Sequence, residues 1–276
     1  MAKIRTTDHR MSIPLLMLFQ VSALAVRELV RLKLTETGIN SEVAQHCSTL
    51  IGFGVLGVLI WPLLRGRTTA ALGIFRKPRS WWALVTCSLG IGLALRLGSW
   101  AFLVASRSFD FFGSGNTPQA IGPLLSWTCP PMPGVLSGVA VMAILTPTIE
   151  EFINRGLILD SLKNYARLIQ IVASALLFAV LHVFENIPNA FVFGVIAAVQ
   201  MQSCRTLWGP LISHATYNLL ATLDQHCLMV LWIPQTSSAT RGTAITLLGI
   251  ALYLVALGLA QQVSAGGHNA PGARSR

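Results

Sequence analysis

Long apolar runs separated by short polar segments organise this chain. The runs are continuous rather than alternating, which predicts helices: a half-wet strand would switch character every second residue. Several approach the roughly 20 residues a helix needs to cross a bilayer. Spans are predicted over 11–26, 47–64, 81–104, 134–162, 168–184, 190–202, 207–223 and 243–260, about eight in all. The expected fold class is all-α, a polytopic membrane helix bundle of about eight transmembrane helices with a mid-membrane polar site.

The segments between the runs refine this picture. Residues 27–46 carry Arg27, Glu28, Arg31, Lys33, Glu36 and Glu42 and can continue the first helix as a polar extension. The basic start (Lys3, Arg5, Arg10) and the Ala23-Leu24-Ala25 pattern also suit a cleaved signal peptide, although a first transmembrane helix is preferred. Residues 107–133 form a Gly-, Pro- and Ser-rich loop with Phe109, Phe111 and Phe112, suited to the membrane surface. The tail 261–276 has the Gly, Ser and Pro content of a disordered segment. The chain therefore divides into N-terminal helices and loops of unassigned role (1–133), a core (134–223), and a last helix with a polar tail (224–276).

Composition agrees. Hydrophobic residues make up 53% and charged residues 11%, with a mean hydropathy of +0.64. A net charge of +10 would suggest nucleic acid in a soluble protein. Here the cations lie in short connecting segments, with no basic stripe interleaved with aromatics. The bilayer is the implied partner, and nucleic acid is not. The predicted inner segments hold Lys3, Arg5 and Arg10; Arg65, Arg67, Arg76, Lys77 and Arg79; Arg155, Lys163 and Arg167; Arg205; and Arg274 and Arg276. The outer ones hold only Arg27, Arg31, Lys33, Arg107 and Arg241. This bias places both termini in the cytoplasm, and the expected location is a bacterial inner (cell) membrane. Trp81, Trp82 and Trp100 read as interfacial anchors, and Arg96 either snorkels or pairs with an acid. The five cysteines show no CxxC pair and no metal-ligand spacing. Most read as small buried hydrophobes, with Cys129 the one to watch for oxidation. Without a visible internal repeat, a transporter built on symmetric halves is disfavoured.

Three polar groupings interrupt the apolar helices. The first lies in Thr146-Pro-Thr-Ile-Glu-Glu-Phe-Ile-Asn-Arg-Gly156. Glu151 and Arg155 stand at i and i+4 and can pair, whereas Glu150 points roughly 100° away. Ionisable residues inside a span are expensive and mark a functional site by default. The second grouping, Phe178 and His182 at i and i+4, puts a ring one turn below an imidazole. The third, His214 and Asn218, puts an imidazole and a carboxamide on one helical face. Taken singly, each is ordinary interhelical glue. Together Glu150, His182, His214 and Asn218 come from three helices and have the chemical types that activate water and stabilise an oxyanion.

These three motifs, in this order, resemble those of the CPBP intramembrane proteases, which include the type II CAAX prenyl endopeptidases and the bacteriocin-processing or abortive-infection-like membrane proteins. The resemblance covers roughly 135–223, with Pro147 and Gly156 included. Asn154 departs from it, standing where an aromatic residue is usual. The resemblance implies metal-independent peptide hydrolysis without a cofactor, acting on a protein or peptide in or at the membrane. Glu150 is the implied general base, with His182 holding the water and His214 and Asn218 forming the oxyanion hole. Glu151 and Arg155 are the implied supports, and Phe178 the implied wall. Zinc held by Glu and His is the rival chemistry, disfavoured by the lack of HExxH. A silent scaffold or immunity protein and a Glu/His-relay transporter are rivals of other classes. Oligomeric state is left open.

Overall fold

The computed structural model describes residues 12–65, 73–78, 80–108, 132–227 and 238–267. All regular structure among them is helical. Eight helical stretches follow one another: α1 (Ile13–Glu36), α2 (Ser41–Leu64), α3 (Trp81–Ser108), α4 (Gly134–Ser161), α5 (Arg167–Ala179), α6 (Ile187–Cys204), α7 (Trp208–Cys227) and α8 (Ser238–Gly267). Six of them (α1, α2, α3, α4, α6 and α8) contain stretches long and apolar enough to cross a membrane. The chain is a multi-pass integral membrane protein. α5 is apolar but short. α7 is long enough but interrupted by Ser213, His214, Thr216, Tyr217, Asn218, Thr222 and Asp224.

Boundaries shift where local chemistry overrides the apolar pattern. α1 starts with Pro14 in its first turn and runs unbroken through Ala23 and Ala25 into the polar segment, where Arg31 pairs with Glu28. Gly38, at φ +83°, allows the chain to leave the helix, and the Ile39 N–H closes the end on the Leu34 carbonyl at 3.1 Å. The Asn40 side chain then accepts the Glu42 N–H at 2.9 Å and caps α2, which begins six residues before the apolar run does. At the other end α8 continues to Gly267, so residues 261–267 of the expected disordered tail are helical. The remainder of that tail, Phe109, Phe111, Phe112 and Cys129 lie outside the described residues. Cys47 is exposed, and Cys87 and Cys204 are half-buried, so the reading of most cysteines as buried hydrophobes does not hold for them. Cys227 is buried and disulfide-bonded.

The chain forms two compact units that alternate along the sequence. The first holds α1 and α2 and residues 152–195. α2 seats against α1 at Gly52, where a Cβ would stand 3.0 Å from the Cβ of Arg27. In the same unit a Cβ on Gly194 would meet the Cα of Ala175 at 2.9 Å, so the glycine permits the close approach of α5 and the start of α6.

The second unit holds residues 74–151 and 196–276. α3 is flanked by α7 and α8. Gly92 lets α3 touch α7: a Cβ there would be 2.6 Å from the Ser213 carbonyl oxygen and 2.7 Å from the Thr216 Cβ. Ile91, Ala94, Ile196 and Val255 make its apolar centre. A buried amide and hydroxyl network ties four helices together. Gln200 Nε2 donates to Ser213 Oγ (3.0 Å), Ser213 Oγ to the Ser88 carbonyl (3.0 Å), and Gln262 Nε2 to Ser88 Oγ (3.0 Å). Such bonds replace the weak hydrophobic drive between helices in lipid. Arg96 does not simply snorkel. Its Nε donates to Asp224 Oδ2 at 2.8 Å, and the Trp100 indole N–H reaches the same oxygen at 3.0 Å.

Candidate active site

α4 is not a uniform α-helix. It widens to π-helical turns at Val139–Leu145 and again at Phe152–Ile158, with the α-helical Thr146–Glu151 between them. The first widening follows from Pro147. Within it the Thr146 N–H bonds back to the Val141 carbonyl, five residues earlier. Continuing that register would pair the Met142 carbonyl with the N–H of residue 147, and proline has none. The Met142 oxygen is taken instead by Asn218 Nδ2, at 2.8 Å. A carboxamide from α7 thus completes the backbone bonding that proline left open in α4.

One turn before Asn218, His214 is buried between the two acids. Its Nδ1 lies 2.8 Å from Glu151 Oε1 and its Nε2 3.9 Å from Glu150 Oε2. The acids differ in environment: the Glu151 side chain is 0% exposed and that of Glu150 28%. The buried acid anchors the ring by a hydrogen bond and leaves the other ring nitrogen facing the more accessible acid. This is the arrangement in which a carboxylate fixes the orientation of an imidazole. Glu150, Glu151, His214 and Asn218 are all in the second unit, brought together by the packing of α7 on the first widened turn of α4.

Arg155, Phe178 and His182 belong to the first unit. Arg155 is buried, its guanidinium carbon 4.6 Å from the Phe178 ring centroid and 5.9 Å from that of Phe193, with Nη2 donating to the Gly194 carbonyl at 3.2 Å. Aromatic faces and a carbonyl suit a desolvated guanidinium. The Phe178 and His182 rings stand 4.6 Å apart, as their spacing predicts. The helix, however, does not reach 184 as expected. α5 ends at Ala179, the His182 N–H turns back to the Ala179 carbonyl at 3.0 Å, and Val183 is extended. His182 is therefore on a turn, with Nδ1 3.0 Å from the Phe178 carbonyl oxygen. A short 3₁₀ turn, Phe184–Asn186, and Pro188 then start α6. Asn154, the departure from the aromatic pattern, is also buried, and its backbone carbonyl accepts from Ser174 Oγ at 3.4 Å, a bond that does not depend on its side chain.

Sequence reasoning missed Met142, Phe193 and Gly194. Met142 and Gly194 act through backbone carbonyls, which no side-chain motif reveals. Phe193 is the second ring over Arg155, with no spacing to Glu150, Glu151 and Arg155 that marks it. The π turns left one sequence signal, Pro147 within an apolar run.

Comparison with known proteins adds one finding. The family model described as Type II CAAX prenyl endopeptidase Rce1-like matches residues 132–220. No curated protein and no solved structure matches the chain. The match supports a CAAX-type membrane protease as the class of activity, and it spans the whole set from Glu150 to Asn218. The segment that carries the three motifs thus matches the Rce1-like, type II CAAX prenyl endopeptidase family, within the kinship that those motifs resemble.

Proposed function

We propose that this protein is a glutamic, metal-independent intramembrane endopeptidase. It hydrolyses a peptide bond of a membrane-associated, lipidated or sorted protein or peptide. The observation that carries the reading is the imidazole of His214 held between Glu151 at 2.8 Å and Glu150 at 3.9 Å, one turn from Asn218.

In this reading Glu150 takes a proton from a water whose oxygen attacks the scissile carbonyl carbon. His182 has the part that the family resemblance gives it, holding and polarising that water. The carbonyl oxygen becomes an oxyanion, stabilised by the second amide N–H of Asn218 and by His214, which donates from Nε2 when its ring carries both protons because Nδ1–H serves Glu151; such donors are each worth a few kcal/mol in known oxyanion holes. One Nδ2 proton of Asn218 serves Met142, and the amide has a second for the oxyanion. Collapse breaks the C–N bond, the amine leaves with the proton from Glu150, and the other product is a carboxylate. Glu151 orients His214. Arg155, stacked on Phe178, sets the field and packing of its part of the helix. Both termini are assigned to the cytoplasm and the membrane to a bacterial inner membrane. The charge bias supports the orientation, as does oxidised Cys227 at the α7 end assigned to the outer side, since disulfides persist outside the cytoplasm.

Comparative proteomics of protein termini in cells carrying wild type or Glu150→Ala tests the reading. A cleavage lost only in the variant names the substrate. Full complementation by Glu150→Gln, His182→Ala and His214→Ala would replace it with a scaffold. Cleavage abolished by chelator and restored by zinc would replace it with a zinc protease.

A further inference from the structure

Beside the starts of α3 and α7 and the end of α6, the segment 74–78 is bonded down along its backbone. The Leu207 N–H donates to the Ile74 carbonyl (2.8 Å) and the Trp208 indole N–H to the Phe75 carbonyl (2.7 Å). The buried Thr206 hydroxyl lies 2.9 Å from the Arg76 carbonyl. Three successive carbonyls are thereby engaged by residues 206–208, which lead into α7, while the Arg76 and Lys77 side chains are exposed. The Trp208 ring meets the edges of Phe75 and Trp81 at 5.7 and 5.5 Å, and Lys77 Nζ stands 5.5 Å from the Trp81 ring centre. Trp82 is 76% exposed. Arg205, also exposed, sits beside Thr206 at φ +52°, a conformation that residues with a Cβ rarely adopt.

Indoles at helix starts mark the headgroup level of a membrane, and cations fixed there attract anionic lipid. The described acids of this unit are engaged elsewhere, Glu150 and Glu151 at His214 and Asp224 at Arg96. We propose that Arg76, Lys77 and Arg205, on this clasp with Trp81 and Trp208, bind the phosphate headgroup of an anionic phospholipid. The clasp holds the start of the helix that carries His214, six residues or about 9 Å along α7 from Trp208. The binding claim itself is independent of the protease reading.

Native mass spectrometry of the full chain, with phosphatidylglycerol and phosphatidylcholine offered in equal amounts, tests it. Each surface cation strengthens association by about fivefold, so Arg76→Gln/Lys77→Gln/Arg205→Gln should lose phosphatidylglycerol retention by about tenfold or more. Lys163→Gln/Arg167→Gln, which removes two exposed cations of the other unit, should leave it unchanged. In the wild type, raising salt should erase the preference, a check that needs no variant. The proposal is overturned by equal retention of the two lipids, by a triple variant within twofold of wild type, or by a preference that salt does not weaken. Displacement of the lipid by millimolar inorganic phosphate would show a site for free phosphate and also overturn it.

Discussion

Glu151→Gln and Glu150→Gln remove one charge each from adjacent residues, yet the structure predicts opposite consequences. The Glu151 carboxylate is 0% exposed and bonds His214 Nδ1 at 2.8 Å. A hydrogen bond with a charged partner contributes about 1.5–3 kcal/mol, and Gln retains only a neutral acceptor. Glu151→Ala goes further, leaving a buried ring nitrogen with no acceptor at that position, and should cost about 3–5 kcal/mol. Glu150 is 28% exposed, so its carboxylate is only partly desolvated, and Gln has the same shape. Glu150→Gln should therefore change stability by no more than about 1 kcal/mol. The assay is unfolding in a detergent titration, run in parallel with single-turnover cleavage of the substrate found by terminal proteomics. Glu150→Gln should be folded and inactive. Glu151→Gln should unfold at lower denaturant and retain a fraction of the activity that falls further in Glu151→Ala. Equal, purely catalytic losses at both positions, with stability intact, would refute the division of labour.

Gly92→Ala should push α3 away from α7, because the new methyl would lie 2.6 Å from the Ser213 carbonyl oxygen; an overpacking cost of about 1–3 kcal/mol is expected in the same titration. Phe178→Leu should remove the ring 4.6 Å from the Arg155 guanidinium and destabilise by about 2 kcal/mol or more, whereas Phe178→Tyr, which keeps a π-face, should lose less. Asp224→Asn should cost about 1–3 kcal/mol, because the carboxylate takes donors from both Arg96 and Trp100, and the loss should shrink when Arg96→Gln is added. A stability difference between wild type and Asp224→Asn that high salt erases would instead mark the pair as a surface contact.

The fold was legible because lipid imposes one rule on every span, and apolar run length reports it directly. That rule located the helices but not their ends. α1 and α2 extend into polar sequence because Gly38 and Asn40 decide where they stop and start, and α5 ends early because the chain turns at 180–183 before Pro188. The polar motifs gave residue types and helix faces. They could not show that the buried partner of Glu151 includes His214, sixty-three positions away, since i and i+4 spacing reveals only neighbours on the same helix. Arg96 illustrates the same limit: its partner Asp224 lies at the end of α7, and nothing in the local sequence of either residue points to the other.

The role of Pro147 shows how a residue without chemistry of its own builds the site. In a regular α-helix a proline at 147 would orphan the carbonyl of Ala143, four residues back. In the widened register the orphan is Met142 instead, and Asn218 finds it. Pro147→Ala should therefore restore an internal donor and release Asn218, while Asn218→Leu should strand a carbonyl at a cost of about 1–3 kcal/mol. The two changes are coupled: Asn218→Leu should be markedly less destabilising in a Pro147→Ala background, because the helix can then give the Met142 oxygen a backbone donor, from Thr146 in the regular register or from residue 147 in the widened one. A double-mutant cycle with a coupling of at least about 0.5 kcal/mol supports this account, and strict additivity rejects it. If the coupling is found, the proline in the motif acts by the donor it lacks, and the widened turn, the seating of Asn218 and the spacing of His214 from the two acids share one cause.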